Sequence, residues 1–200
     1  YKLSVHKDNY ASWQKTVIVE EGLVVDFPGI MLLPEEGDEQ RKLFEEVGLL
    51  FNKLEPIPTI TPSPTPRKNS VSPTPGLIQS SFVLNEKPGK LYRNNDQQLE
   101  EIATDVRGFR LSENKNKLAW WTNNEIWVIW LNDTSYQPYY KKGDKELITR
   151  FAQSIQNAVW FRGEDHLVLE LESRDSKNRP YSIYKVIEID KRGELNIIEL

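Results

Sequence analysis

Two histidines, His6 and His166, are the only side chains in this sequence that ordinarily titrate near neutral pH. Neither sits in a catalytic pattern. His6 lies on an alternating stretch with no acid or nucleophile at motif spacing. His166 follows Asp165 directly, and adjacent residues point their side chains in different directions, so the pair does not read as a dyad. No HExxH, no phosphate-cradling glycine loop and no Gly-x-Ser-x-Gly elbow occurs. Asp175-Ser176-Lys177-Asn178 is too basic for a calcium loop and lacks the closing glutamate. Carboxylates are numerous, yet spacing marks no two of them as acid and base. There is no cysteine, which removes disulfides, thiolate nucleophiles and cysteine zinc sites together. The expectation is a non-enzymatic protein with no catalytic residue, no metal site and no cofactor.

The aromatic residues remain. Trp120, Trp121, Trp127, Trp130 and Trp160 fall in strand-like stretches and read as core. Tyr136-Gln137-Pro138-Tyr139-Tyr140 falls in a polar connection, where packing gives aromatics less reason to be. Tyr136, Tyr139 and Tyr140 are therefore the candidate ligand contacts, for a protein or a glycan. Asn132-Asp133-Thr134 in the same connection matches the N-glycosylation acceptor pattern.

These residues need a scaffold, and 200 residues suffice for one good core or two small domains. Charged residues make up 28% and the net charge is −4, which gives no electrostatic reason to bind nucleic acid or anionic lipid. No basic stripe is visible; Arg67-Lys68 and Lys141-Lys142 are isolated pairs that read as solvated surface. No apolar run approaches the roughly 18–20 residues of a membrane span. Tyr1 opens a stretch that already alternates like a strand in progress. The expectation is that the chain begins inside a domain and that any membrane anchor lies outside it.

Residues 1–35 read as β. Tyr1, Leu3 and Val5 alternate with polar residues, Asp8-Asn9 signals a turn, and 17–19, 23–27 and 30–33 read as further strands. Residues 36–55 change period. Leu43, Phe44, Val47, Leu50, Phe51 and Leu54 share one helical face, with Asp38 as the expected N-cap, and that face should pack against a β-region. Residues 56–76 carry seven prolines among Thr and Ser and read as an extended linker between two folded units.

Residues 77–200 read as β with an internal repeat. Val106 to Leu111 corresponds to Ile155 to Trp160, and Leu118 to Trp121 corresponds to Leu167 to Glu170, both at an offset of forty-nine residues. A third strand follows in each unit, at 125–131 and 182–189, and a short fourth near 147–149 and 195–198. Long polar loops are expected at 132–144 and 173–180. The strand 125–131 is apolar on both faces, so protein must cover it on both sides. Four short strands per period of about 40–50 residues mark a β-propeller blade. The expected blades are a partial one at about 79–103, then 104–150 and 153–200.

Two resemblances extend this reading. Tyr1-Lys2-Leu3-Ser4-Val5, Asn9-Tyr10, Trp13, Val17 to Gly22 and Leu32-Leu33-Pro34 resemble the C-terminal part of a PEGA domain, a small extracytoplasmic β-module. Asn9 stands where that family has glycine, and the Pro-Glu-Gly-Ala signature is absent. Leu111-Ser112-Glu113-Asn114-Lys115-Asn116-Lys117-Leu118 resembles the Leu-Ser-Pro-Asp-Gly-Lys-Lys-Leu turn of TolB-type, WD40-like propellers, with Glu113 in place of proline. Asn124 to Val128 and Ile189-Asp190-Lys191-Arg192-Gly193 match that pattern too. The fold expected is mainly β: a PEGA-like module, one short helix and a partial propeller. The resemblances imply an extracytoplasmic scaffold or binding platform for protein or glycan, held at a bacterial cell surface. The alternative is the regulatory or substrate-binding propeller portion of a larger envelope hydrolase.

Overall fold

The computed structural model describes residues 1–60, 81–85, 87, 89–95 and 98–200. Most of the expected linker, residues 61–76, lies outside them. The architecture is mainly β, with four small antiparallel sheets and one helix among the described residues. Strands β1 (Lys2–Val5) and β2 (Trp13–Thr16) form a hairpin, and helix α1 (Gly37–Asn52) follows. Then come β3 (Phe82–Asn85), β4 (Lys90–Asn95) and β5 (Gln98–Ala103). Strands β6 (Gly108–Leu111), β7 (Lys117–Trp121), β8 (Glu125–Trp130) and β9 (Lys145–Arg150) make the next sheet. The last contains β10 (Ser154–Trp160), β11 (His166–Arg174), β12 (Pro180–Glu188) and β13 (Ile197–Glu199). In the last three sheets each strand pairs with the next in sequence. The forty-nine-residue repeat corresponds to two sheets of identical strand order, whose second strands begin at Lys117 and His166.

The middle sheet is covered on both faces, as its double-sided apolar pattern demands. One face, with Leu118, Trp120, Ile129 and Leu131, packs on Phe82, Leu84, Leu91 and Ile102 of the β3–β5 sheet. The other, with Trp121, Ile126, Val128 and Trp130, packs on Ile155, Leu167, Leu169 and Ile187 of the β10–β13 sheet. Burying each such side chain stabilises by about 1.5–3 kcal/mol. Close approach is needed where β6 starts: a Cβ on Gly108 would lie 2.2 Å from the Trp121 ring.

The outer face of the last sheet is covered by α1. Leu43 and Val47 of the helix and Leu33 meet Val159, Phe161, Val168 and Val186. Leu50, Phe51 and Leu54 join from the expected face, but Phe44 is 42% exposed at its edge. The N-cap is Glu36 rather than Asp38, which lies inside the first turn and pairs with Arg41.

The N-terminal region departs most from expectation. The partner of β1 is 13–16, not 17–19, and 17–33 contains no strand. Val17 extends the ladder by a reciprocal pair of bonds with Tyr1, after which the chain leaves it, with Ile18, Leu23 and Val24 exposed. Alternation there finds no neighbouring strand to pair with. Asn9 takes the left-handed conformation (φ 63°), as the turn requires. The hairpin docks on the last sheet at the turn after β12: a Cβ on Gly193 would sit 2.3 Å from the Thr16 carbonyl oxygen.

Two connections are also corrected. The expected loop 173–180 shrinks to a turn at 175–179, because β11 and β12 pair out to Arg174 and Pro180. The proline-rich stretch does not begin as free spacer. Thr59 bridges Leu84 in parallel, Ile60 N–H donates to the Leu84 carbonyl at 2.9 Å, and Ile57 packs into both inter-sheet cores.

Candidate functional site

Three segments meet where the β6–β9 and β10–β13 sheets share an edge: the connection 132–144, residues 24–29, and the turn after β12. Between them lies a cavity of about 30 Å³, lined by Phe27, Lys117, Trp130, Tyr136, Tyr140 and Asp165. That is room for about one water.

Lys117 opens β7 and is only 2% exposed. Its ammonium crosses to the next sheet and donates to Asp165 Oδ1 (2.9 Å), the Glu164 carbonyl (2.9 Å) and Tyr136 Oη (3.2 Å). Three acceptors match the three N–H donors of the ammonium, which fixes the side chain in place. A second buried lysine arrives from the opposite side. Lys15 of β2 reaches Glu188 Oε2 (3.1 Å) and donates to the Asp190 carbonyl (2.5 Å). Trp13 Nε1 and Asn196 Nδ2 donate to the same carboxylate. Burial raises the Glu188 carboxyl above its ordinary range, against the opposing pull of Asn196 and Lys15.

His166 lies between these lysines, 6% exposed, beside a small hollow lined by Trp13, Met31 and Leu33. Burial lowers its pKa to about 4; Asp165 opposes the shift while Lys15 and Lys117 reinforce it. The ring is therefore neutral at pH 7. Asp165 lines the cavity and His166 the hollow, so the adjacent pair does face apart. His6 is exposed just past β1, where it bonds Ser4 and Ser12. No group of His, Asp or Glu that could hold a metal occurs among the described residues.

The candidate tyrosines divide. Tyr140 stacks on Trp130 at 3.6 Å and donates to Glu146, and burial followed by that carboxylate raises its phenol well above the ordinary range. Tyr136 lines the cavity beneath Lys117. Tyr139 points away and is 70% exposed. The loop that carries them is braced from several directions. The Thr134 hydroxyl donates to the Pro138 carbonyl and accepts from Tyr140 N–H, so the acceptor-pattern threonine is engaged locally. Gln137 donates to the Val24 carbonyl and accepts from Asp26 N–H and from Arg192, which also donates to the Asp26 carbonyl.

Lys15, Lys117 and Glu188 were not among the residues that sequence reasoning singled out. A signal for Lys15 existed: Trp13, Lys15 and Val17 alternate, and all three are buried. For Lys117 the repeat places it opposite His166 at the same strand start, but which acceptors it reaches depends on sheet stacking.

Comparison with known proteins gave no match: no family model, no curated protein and no solved structure matches this chain.

Proposed function

We propose that this chain is a non-enzymatic binding or scaffolding platform, extracytoplasmic and surface-held, in which the stacked sheets are consecutive blades of a partial β-propeller. Support for the blade reading comes from the repeat, the sequential antiparallel order within each sheet, and the dry contacts on both faces of the middle sheet. The PEGA-like and TolB-like resemblances support the extracytoplasmic setting.

The contact surface in this reading is the connection 132–144, and its partner is a protein or an envelope glycan. One observation carries it: Tyr139 is held open to solvent on a loop whose other aromatic residues are pinned underneath. A rigid exposed aromatic loses little freedom on binding, and such residues dominate recognition energies. Tyr136 and Tyr140 set the loop's shape in this role, and Tyr139 touches the partner.

The test is an envelope-glycan array together with cross-linked pull-downs from envelope extracts, using the intact chain and Tyr139→Ala. The substitution is expected to weaken each specific capture at least about tenfold with no change in melting temperature. Captures that survive it undiminished would move the contact surface elsewhere.

A further inference from the structure

A second recess lies at the other inter-sheet boundary, between the β3–β5 and β6–β9 sheets. It consists of two hollows of about 350 and 280 Å³ that share Ser81, Phe82, Leu111 and Lys115 in their walls. Four cations converge on it from separate elements: Arg93 of β4, Arg110 of β6, Lys115 of the turn that follows, and Lys142 of the connection before β9. None of the four forms an ion pair with a carboxylate among the described residues. This occurs in a chain whose net charge is −4, so general basicity does not explain it.

Arg110 is the most telling of them. Its Nε is buried with no hydrogen-bond partner, and its Nη1 has only a long 3.4 Å contact to the Phe109 carbonyl. A guanidinium withdrawn from water without a counter-charge is costly, and a bound anion offsets that cost. Burial also lowers its pKa, as expected of an uncompensated cation. Glu55 lines the same hollow as Arg110 and Lys115 but forms no ion pair among the described residues, and the residues 61–80 that join Ile60 to Ser81 include Arg67 and Lys68 but no carboxylate.

We propose that this recess binds an acidic glycan, with Arg110 as the central contact to a sugar carboxylate and Lys115 and Lys142 flanking it. The walls fit that chemistry. Exposed Pro56 and Pro58 offer apolar surface for the C–H faces of sugar rings, and the guanidinium forms a fork for a carboxylate. A membrane plane is a poor fit, because Arg110 is half-buried. The site is distinct from the tyrosine loop and does not depend on it.

Calorimetry of the intact chain with a galacturonate hexasaccharide tests this. Maltohexaose serves as the neutral control of equal length and hexaglutamate as the acidic peptide. Binding is expected for the galacturonate alone, and it should weaken at least about tenfold in Arg110→Gln and in Lys115→Gln/Lys142→Gln. It should also weaken as salt rises from about 50 to about 500 mM. The lysine pair is exposed, so that variant keeps the test valid if Arg110→Gln fails to fold. Absence of galacturonate binding, unchanged affinity in the lysine variant, equal binding of maltohexaose, or tighter binding of hexaglutamate would each overturn the proposal.

Discussion

The middle and last sheets begin their second strands at equivalent positions of the repeat, yet one carries Lys117 and the other His166. Lys117 has a further sheet to reach and anchors it through Asp165 and Glu164. His166 has none. Beyond it lie α1, Leu33 and the N-terminal hairpin, and the cation there, Lys15, comes from that hairpin and points back at Glu188. Both buried lysines therefore converge on the last sheet, one from each side. A repeated element keeps its backbone pairing while its end residues adapt to whatever covers it. Where another sheet follows, a long cation can bridge to it. Where the covering is a helix and a hairpin, a compact neutral ring fits.

The largest effect expected concerns the hairpin side. Lys15→Met leaves the Glu188 carboxylate buried without its cation and should destabilise by about 3–5 kcal/mol in chemical denaturation. The double variant Lys15→Met/Glu188→Leu should recover much of that loss. A single variant within about 1 kcal/mol of the parent would break the view that Lys15 anchors the hairpin.

Next comes the ring. A histidine pKa lowered from 6.5 to about 4 means that the unfolded chain binds its proton first as pH falls. The stabilisation is complete above pH 6.5 and is lost as pH falls through that value towards 4, up to about 3 kcal/mol. Glu188, with its raised carboxyl, works in the opposite sense, since protonation of the native state relieves its burial. His166→Gln should therefore flatten the decline in melting temperature between pH 7 and 4.5. An unchanged slope would show that other groups set it.

The smallest effect concerns the helix that covers the last sheet. Arg162 holds Glu46 through two hydrogen bonds at 3.1 and 2.6 Å, with both side chains well exposed. Glu46→Gln should cost less than about 1 kcal/mol in thermal denaturation. A larger loss would mean that charge, rather than the apolar contacts of Leu43 and Val47, holds α1 in place.

The repeat was legible because its strands carry apolar residues on both faces, a pattern with few physical solutions. The helix was legible from its period, apart from Phe44, whose place at the stripe's edge puts it in solvent. Residues 17–33 misled because alternation marks a strand only where another strand stands beside it. Of the tyrosine loop, the sequence marked the position and the tertiary structure separated the roles: Tyr140 stacks, Tyr136 lines the cavity, and Tyr139 faces out.

By itself, then, the sequence determined the β-rich class, the period of the sheets and the demand that the 117–131 hairpin be enclosed, because local periodicity dictates which faces shed water. Only the tertiary structure decided the charge arrangement. Lys15 meets Glu188 across 173 positions, and Arg93, Arg110, Lys115 and Lys142 gather at one recess in an acidic chain. Charges act through space over a few ångströms, and no local pattern records which distant residues the stacking of sheets will bring that close.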